Sequence, residues 1–236
     1  MAASTVSNTS RDVPSRSLPL EHGQSLRADE FHQRYHAMPE VKKAELIEEI
    51  VHMPSPVDFV DHAEPHGDLF YWLKTYSIRT PGVRTGIEGT VRLGDSDEPQ
   101  PDSVLFIDPR YGGQTRIGRY LSGAPELVAE ISSSTLSVDR NAKLRVYQRY
   151  GVREYIIWKI AHRAIDWLVL RDGVFQPLLP SPDGLIRGET FPGLWLDPEA
   201  MAHGRREAWL EALQRGLASP EHADFVDRLR QQSSNP

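Results

Sequence analysis

The order of hydrophobic patterns predicts an α/β chain of the α+β kind, a mixed central sheet flanked by helices. Three observations carry this. Ser103–Ile107 and Leu127–Ile131 are continuous apolar runs, the pattern of strands buried on both faces. His62–Ile78 carries Leu69, Phe70, Trp72, Leu73 and Tyr76 as a helical stripe. Asp139–Tyr150 reads as a second helix, stopped by Gly151 and followed by the apolar run Glu154–Ile160. With Val83–Leu93 as a further strand, His62–Ile160 takes the order helix, strand, strand, strand, helix, strand.

The remaining elements follow in chain order. Met1–Leu26 is rich in Ser, Pro, Thr and Asn without hydrophobic period, the composition of a disordered tail. Ala28–Ala37 holds Phe31 and Tyr35 behind an acidic first turn, Asp29 and Glu30, and reads as a short helix. Glu45–Met53 (ELIEEIVHM) suits a short strand pair, ended by Pro54 and Pro56. Pro65 fits the first turn of the helix over 62–78. Gly94–Pro99 is a turn, and Asp108–Ala124 is a long loop with four glycines and Arg110, Arg116 and Arg119. Ala164–Leu170 is a strand ending in the turn Arg171-Asp172-Gly173. Gly188–Leu196 closes the core, and Glu207–Leu213 and Ala223–Leu229 read as terminal helices. The domain layout is a tail (1–26), one domain (27–197) and a helical extension (198–236).

Composition narrows the function. The chain has 236 residues, 39% of them hydrophobic, enough for one core. No apolar run approaches the roughly 20 residues that span a bilayer, and the N-terminus lacks a signal-peptide segment. A cytoplasmic location is the expectation. There is no cysteine, which excludes disulfides, thiolate metal sites and cysteine nucleophiles. The net charge of -6 argues against a simple nucleic-acid binder. The charge is uneven, however: Pro101–Leu170 carries ten basic and seven acidic residues, +3, against -9 elsewhere. Local positive charge around carboxylates attracts phosphate.

Asp102 opens one apolar run and Glu130 closes the next. If the two runs pair antiparallel, the carboxylates meet at one edge of the sheet. The helix over 139–150 begins at that edge with Lys143 in its first turns, on a face shared with Tyr147 and Tyr150. Two acids and a lysine are the equipment of metal-dependent phosphodiester hydrolysis. A divalent cation would neutralise phosphate charge and acidify the attacking water. Magnesium, or manganese, takes oxygen ligands: Asp102, Glu130 and the backbone carbonyl of Ile131. The same pairing puts the arginine loop roughly 15–20 Å from this edge, at ~3.3 Å per residue. Arg110, Arg116 and Arg119 are therefore candidates for gripping a distant part of a long substrate. The structural readings stand beside these. Asp102 alone is a turn or strand-start aspartate. Glu130 makes an ion pair with Lys143 or an arginine, or Lys143 pairs with Asp139 at i,i+4. Tyr147, Tyr150 and Trp158 are core. Ser132-Ser133-Ser134 caps a turn.

AELIEEIVHMPSP, HGDLFYWL, QPDSVLFI, PELVAEISSST, NAKLRVYQRYGVREYIIW and FPGLWLD, in this order and spacing, resemble the Uma2 family of restriction endonucleases, within the PD-(D/E)xK nuclease superfamily. The resemblance covers Ala28–Asp197. It implies a restriction-endonuclease-like αβββαβ core and Mg²⁺-dependent DNA cleavage. Asp102 matches the Asp of PD and Glu130 the (D/E). Ser132 stands where the basic motif has lysine; the family supplies it from the next helix, where Lys143 matches. The family's ELIDGEL hairpin is altered around Glu49 and Ile50, leaving Glu45 as the candidate third metal carboxylate. His66 matches a histidine at the start of the family's first core helix, a supporting residue. Cutting both strands of a duplex usually needs two sites, so a homodimer is an expectation. The competing reading is a nucleic-acid-binding protein on the same fold whose catalysis has decayed. A glycosidase using the two carboxylates leaves Lys143 and the arginines without a role.

Overall fold

The computed structural model describes residues 18–53, 56–132 and 138–233, with 138–140 as backbone only. Helix α1 (Ala28–His36) and the hairpin of β1 (Glu45–Ile47) and β2 (Ile50–His52) form an N-terminal lobe. Phe31, Leu46 and Val51 pack there with Leu20 and Leu26. The last residues of the expected tail are thus ordered: Gly23 N–H donates to the Val51 carbonyl at 2.8 Å. Two leucines reach an apolar lobe, and tail composition averages that contribution away. Residues 1–17, also expected to be disordered, lie outside the described residues.

The hairpin turns on Glu48 and Glu49, with φ of 52° and 63°. Two-residue hairpins favour this left-handed pair, usually with Asn-Gly. A side chain there costs ~1–2 kcal/mol. Glu48 N–H donates to Asp97 Oδ1 at 2.7 Å and Glu49 N–H to the Ser96 carbonyl at 3.0 Å, which holds the turn in place.

A π-helical turn, Phe59–Ala63, capped by Asp58, leads into α2 (Glu64–Arg79), with Pro65 in its first turn as expected. The expected single strand over 83–93 is two, β3 (Val83–Ile87) and β4 (Val91–Arg92), in different sheets. The chain breaks at Glu88, which has φ 49°. Next come β5 (Ser103–Ile107), β6 (Arg116–Ile117), β7 (Leu121–Ser122), β8 (Leu127–Ser132) and α3 (Val138–Tyr150). Strands β9 (Glu154–Lys159), β10 (Ala164–Arg171) and β11 (Val174–Pro177) follow. The small pair β12 (Ile186–Arg187) and β13 (Trp195–Leu196) precedes α4 (Pro198–Ala202), α5 (Arg206–Leu217) and α6 (Pro220–Ser233).

The central sheet has the order β11-β10-β9-β8-β5-β3, with β8 and β9 parallel and the other pairs antiparallel. The parallel pair needs a crossover, and α3 supplies it. Alternation sends Leu105, Ile107, Leu127, Ala129, Ile156 and Trp158 to one face, under α2, α5 and α6. It sends Val104, Phe106, Val128, Tyr155 and Ile157 to the other, with Val146 and Tyr147 of α3. Burial on both faces explains why these strands read as continuous apolar runs.

The terminal helices belong to the first of these cores. Trp209, Leu213, Phe225 and Leu229 pack with Trp72 and Tyr76 of α2. Trp72 Nε1 donates to the Trp195 carbonyl at 3.1 Å and Tyr76 Oη to the Pro192 carbonyl at 2.8 Å.

Replacing Glu49 with glycine relieves one left-handed residue whose side chain is exposed, so urea unfolding should show a gain of roughly 0.5–1 kcal/mol. An unchanged or lower midpoint would contradict the strain. Leu213→Ala should cost about 2–5 kcal/mol in one cooperative transition. A loss below about 0.5 kcal/mol, or a second transition, would make the helices a separable unit.

Candidate active site

The β5–β8 register places the two carboxylates. Ser103 pairs with Ala129, so Asp102, one residue earlier, stands opposite Glu130, one residue later. Alternation from Val104 and Val128 puts both on the α3 face of the sheet. Asp102 and Glu130 are 3% and 8% exposed, which makes their partners decisive.

Asp102 Oδ2 accepts the Ile131 N–H at 2.7 Å. Its Oδ1 faces Lys43 Nζ and His62 Nε2, each at 3.5 Å. Below it, His66 Nε2 donates to the Asp102 carbonyl at 2.7 Å and lies 3.3 Å from Ser103 Oγ. Burial opposes the Asp102 charge, but His62, Lys43 and the Ile131 N–H outweigh it and hold the carboxyl well below its ordinary range. The attraction is mutual: Asp102 raises the pKa of His62 against burial.

Glu130 has a different environment. Its Oε1 accepts from Lys143 Nζ at 3.0 Å and from Tyr147 Oη at 2.9 Å. The same Lys143 Nζ lies 2.9 Å from Glu45 Oε1, which also accepts the Gln100 N–H at 2.7 Å. Lys143 and Tyr147 reach one carboxylate because i,i+4 residues share a helix face. Burial raises the Glu130 carboxyl, and Asp102 and Glu45 add repulsion that Lys143 only partly offsets. Burial works against the Lys143 ammonium too, but Glu130 and Glu45 overcome it and raise its pKa.

The structure therefore brings Asp102, Glu130, Lys143 and Glu45 together, with His66 packed beneath. Lys143 points inward and not along the surface. Lys43 and His62 complete the group and were missed. Both had a legible signal: Lys43 is two residues before Glu45, hence on the same side of an extended chain, and His62 is four before His66. Ser132 ends β8, and Ser133 and Ser134 lie outside the described residues.

The arginine loop divides. Arg110 bonds Asp108, Nε to Oδ1 at 3.0 Å, at the far end of β5. Arg116 and Arg119 lie on or beside the β6–β7 hairpin, which pairs with β4; Arg119 stacks on Tyr120, whose Oη meets His36 Nε2 at 2.7 Å. None of the three makes a described contact with the carboxylates.

Three carboxylates converge here with two lysines and His62. An all-oxygen acidic donor set fits a hard divalent cation. Among the described residues no three acidic or histidine side chains already converge as a metal cluster. A bound cation would draw on Asp102, Glu130 and the neighbouring Ile131 carbonyl.

The Uma2 family model, described as "Putative restriction endonuclease", matches residues 28–199. The chain belongs to the Uma2 family. No curated protein sequence matches it. Among solved structures it is similar to a putative nuclease belonging to DUF820 from Anabaena variabilis. The TM-score is 0.53 at 16% identity, over 67% of this chain and 88% of that one, a likeness of fold. Within this Uma2 protein the matched region takes in every side chain of the site, from Lys43 to Tyr147.

Lys143→Met leaves Glu45 and Glu130 buried without their cation and should cost about 3–5 kcal/mol at pH 8. The raised Glu130 carboxyl takes up a proton on folding, so stability falls as pH rises from the ordinary glutamate range through the raised value. The variant should therefore recover part of its stability at pH 5. A penalty independent of pH, measured by urea unfolding, would show that the glutamates do not depend on Lys143.

Proposed function

We propose that this protein is a metal-dependent DNA endonuclease, with Asp102 and Glu130 holding the cation. The observation that carries the reading is the juxtaposition of these two buried carboxylates across β5 and β8, with a lysine reaching them from α3. Membership of the Uma2 family supports it, as does the fold shared with the putative nuclease from Anabaena variabilis.

The cation would be Mg²⁺ or Mn²⁺, with the Ile131 carbonyl as a further ligand and Glu45 close by. It would supply charge neutralisation at the phosphate and a more acidic attacking water. The chain's own residues do the rest. The Ile131 N–H fixes one oxygen of Asp102 and leaves the other facing Lys43 and His62. Tyr147 and Lys143 aim Glu130, and Lys143 is the site's lysine by family position. His66 holds the Asp102 backbone and acts as a positioning residue. Arg110, Arg116 and Arg119 are reserved for substrate beyond the reacting phosphate. A homodimer would bring two such sites to the two strands of a duplex. Among the described residues no helix is long and apolar enough to cross a membrane.

One observation favours a second reading, a nucleic-acid-binding protein that no longer cleaves. Each carboxylate of the site already lies against a lysine, so a cation must compete for it.

Nicking of supercoiled plasmid separates the two. The wild type should nick with Mg²⁺ or Mn²⁺ and not with chelator. Asp102→Ala and Glu130→Ala should lose at least about 10²-fold. Equal nicking by wild type and both variants would sink the first reading, whereas salt-sensitive DNA binding without nicking supports the second.

A further inference from the structure

We propose that the Lys43 ammonium is the group that meets the reacting phosphate, while Lys143 stays bound between Glu45 and Glu130. This rests on the nuclease reading above and divides the work of the two lysines.

Lys143 is committed. Its Nζ lies 2.9 Å from one carboxylate and 3.0 Å from another, and its side chain is 14% exposed. Turning it toward a substrate would leave Glu45 and Glu130 buried without their cation. Lys43 is held differently. Its one described ion pair, to Asp102, is 3.5 Å long, beyond a good hydrogen bond. Its side chain is 23% exposed, nearer to solvent than that of Lys143. Its flexible four-carbon stem allows it to turn while His62 and the Ile131 N–H still hold Asp102.

Its base is nevertheless fixed. Lys43 precedes β1 by two residues, and β1 docks on the segment leading to Asp102: Glu98 N–H donates to the Leu46 carbonyl at 2.8 Å, and Leu46 N–H returns to the Glu98 carbonyl at 3.2 Å. The ammonium is thereby kept at Asp102 Oδ1, the oxygen that Ile131 does not occupy. A phosphate held at the Asp102 edge would meet Lys43 first. His62 shares that oxygen, but its side chain is 13% exposed and carries no reach comparable to a lysine's. A cation on a mobile stem, beside the acids but not locked to them, can follow charge as it develops on the phosphate.

The test uses the full chain as wild type, Lys43→Met, Lys43→Arg and Lys143→Met. Plasmid nicking in Mg²⁺ is read beside affinity for a mixed-sequence duplex oligonucleotide in Ca²⁺, Mn²⁺ affinity by calorimetry, and urea unfolding. Lys43→Met should cleave at least about 10²-fold more slowly and bind the duplex with a salt slope shallower by about one. It should bind Mn²⁺ at least as tightly as the wild type and keep most of its stability, and Lys43→Arg should recover part of the rate. Lys143→Met should instead lose stability. Cleavage by the wild type with an undiminished Lys43→Met would overturn the assignment and leave the nuclease reading standing. The assignment also falls if Lys43→Met loses Mn²⁺ affinity or stability as its main effect. A wild type that binds DNA without cleaving still decides the point: weaker binding with the shallower slope supports Lys43, and unchanged binding overturns it. A wild type that neither cleaves nor binds removes the site reading and this assignment with it.

Discussion

One ammonium group joins three separate parts of the chain. Lys143 comes from α3, Glu130 from the end of β8 and Glu45 from the first strand of the N-terminal hairpin. In the weakly polarisable interior an unpaired carboxylate would be driven to protonate, or the element carrying it driven out to water. The shared lysine gives both glutamates a cation and offsets part of that pressure at Glu130. The hairpin can then lie against the sheet with its acid facing inward. With it come the Gln100 N–H, bonded to Glu45, and the approach of the chain to Asp102.

The N-terminal lobe is seated largely by polar contacts of this kind. Asp97, fully buried, accepts from Glu48 N–H and Ser96 Oγ at 2.7 Å, Arg149 at 2.8 Å and Tyr150 at 3.1 Å. A lobe with its own small apolar core could slide on the sheet if only apolar surfaces met. Directional bonds to buried carboxylates allow one seating. That matters for chemistry, because Lys43 and Glu45 enter the site from this lobe, whereas Asp102 and Glu130 belong to the sheet. A site assembled from two bodies is only as well defined as the joint between them.

The same burial that makes Glu130 informative in the sequence makes it expensive in the fold. Its carboxyl is raised while that of Asp102, directly opposite, is lowered. The difference comes from neighbours. Asp102 has a backbone N–H and two basic side chains, whereas Glu130 shares Lys143, its cation among the described residues, with Glu45. Neighbouring carboxylates with opposed environments are suited to divided roles at one reacting centre.

The order of apolar runs was enough to determine the layered α/β architecture, because strands covered on both faces must be apolar at every position. It also determined the meeting of Asp102 with Glu130: antiparallel neighbours bring the start of one to the end of the next. Lys143 was legible from helical spacing once that edge was located. Other features depended on distant parts of the chain. Leu20 and Leu26 are ordered by a lobe formed around residues 31–51, which tail composition cannot reveal. The run from Val83 to Leu93 divides because β7 offers β4 a second sheet. Local spacing put Lys43 on the side of Glu45 and His62 a turn before His66, but both reach Asp102 only after the hairpin and the π-helical turn have docked. Local periodicity depends on neighbours in sequence. The partners of a buried charge are chosen by neighbours in space, and only the tertiary structure decided which lysine each carboxylate would receive.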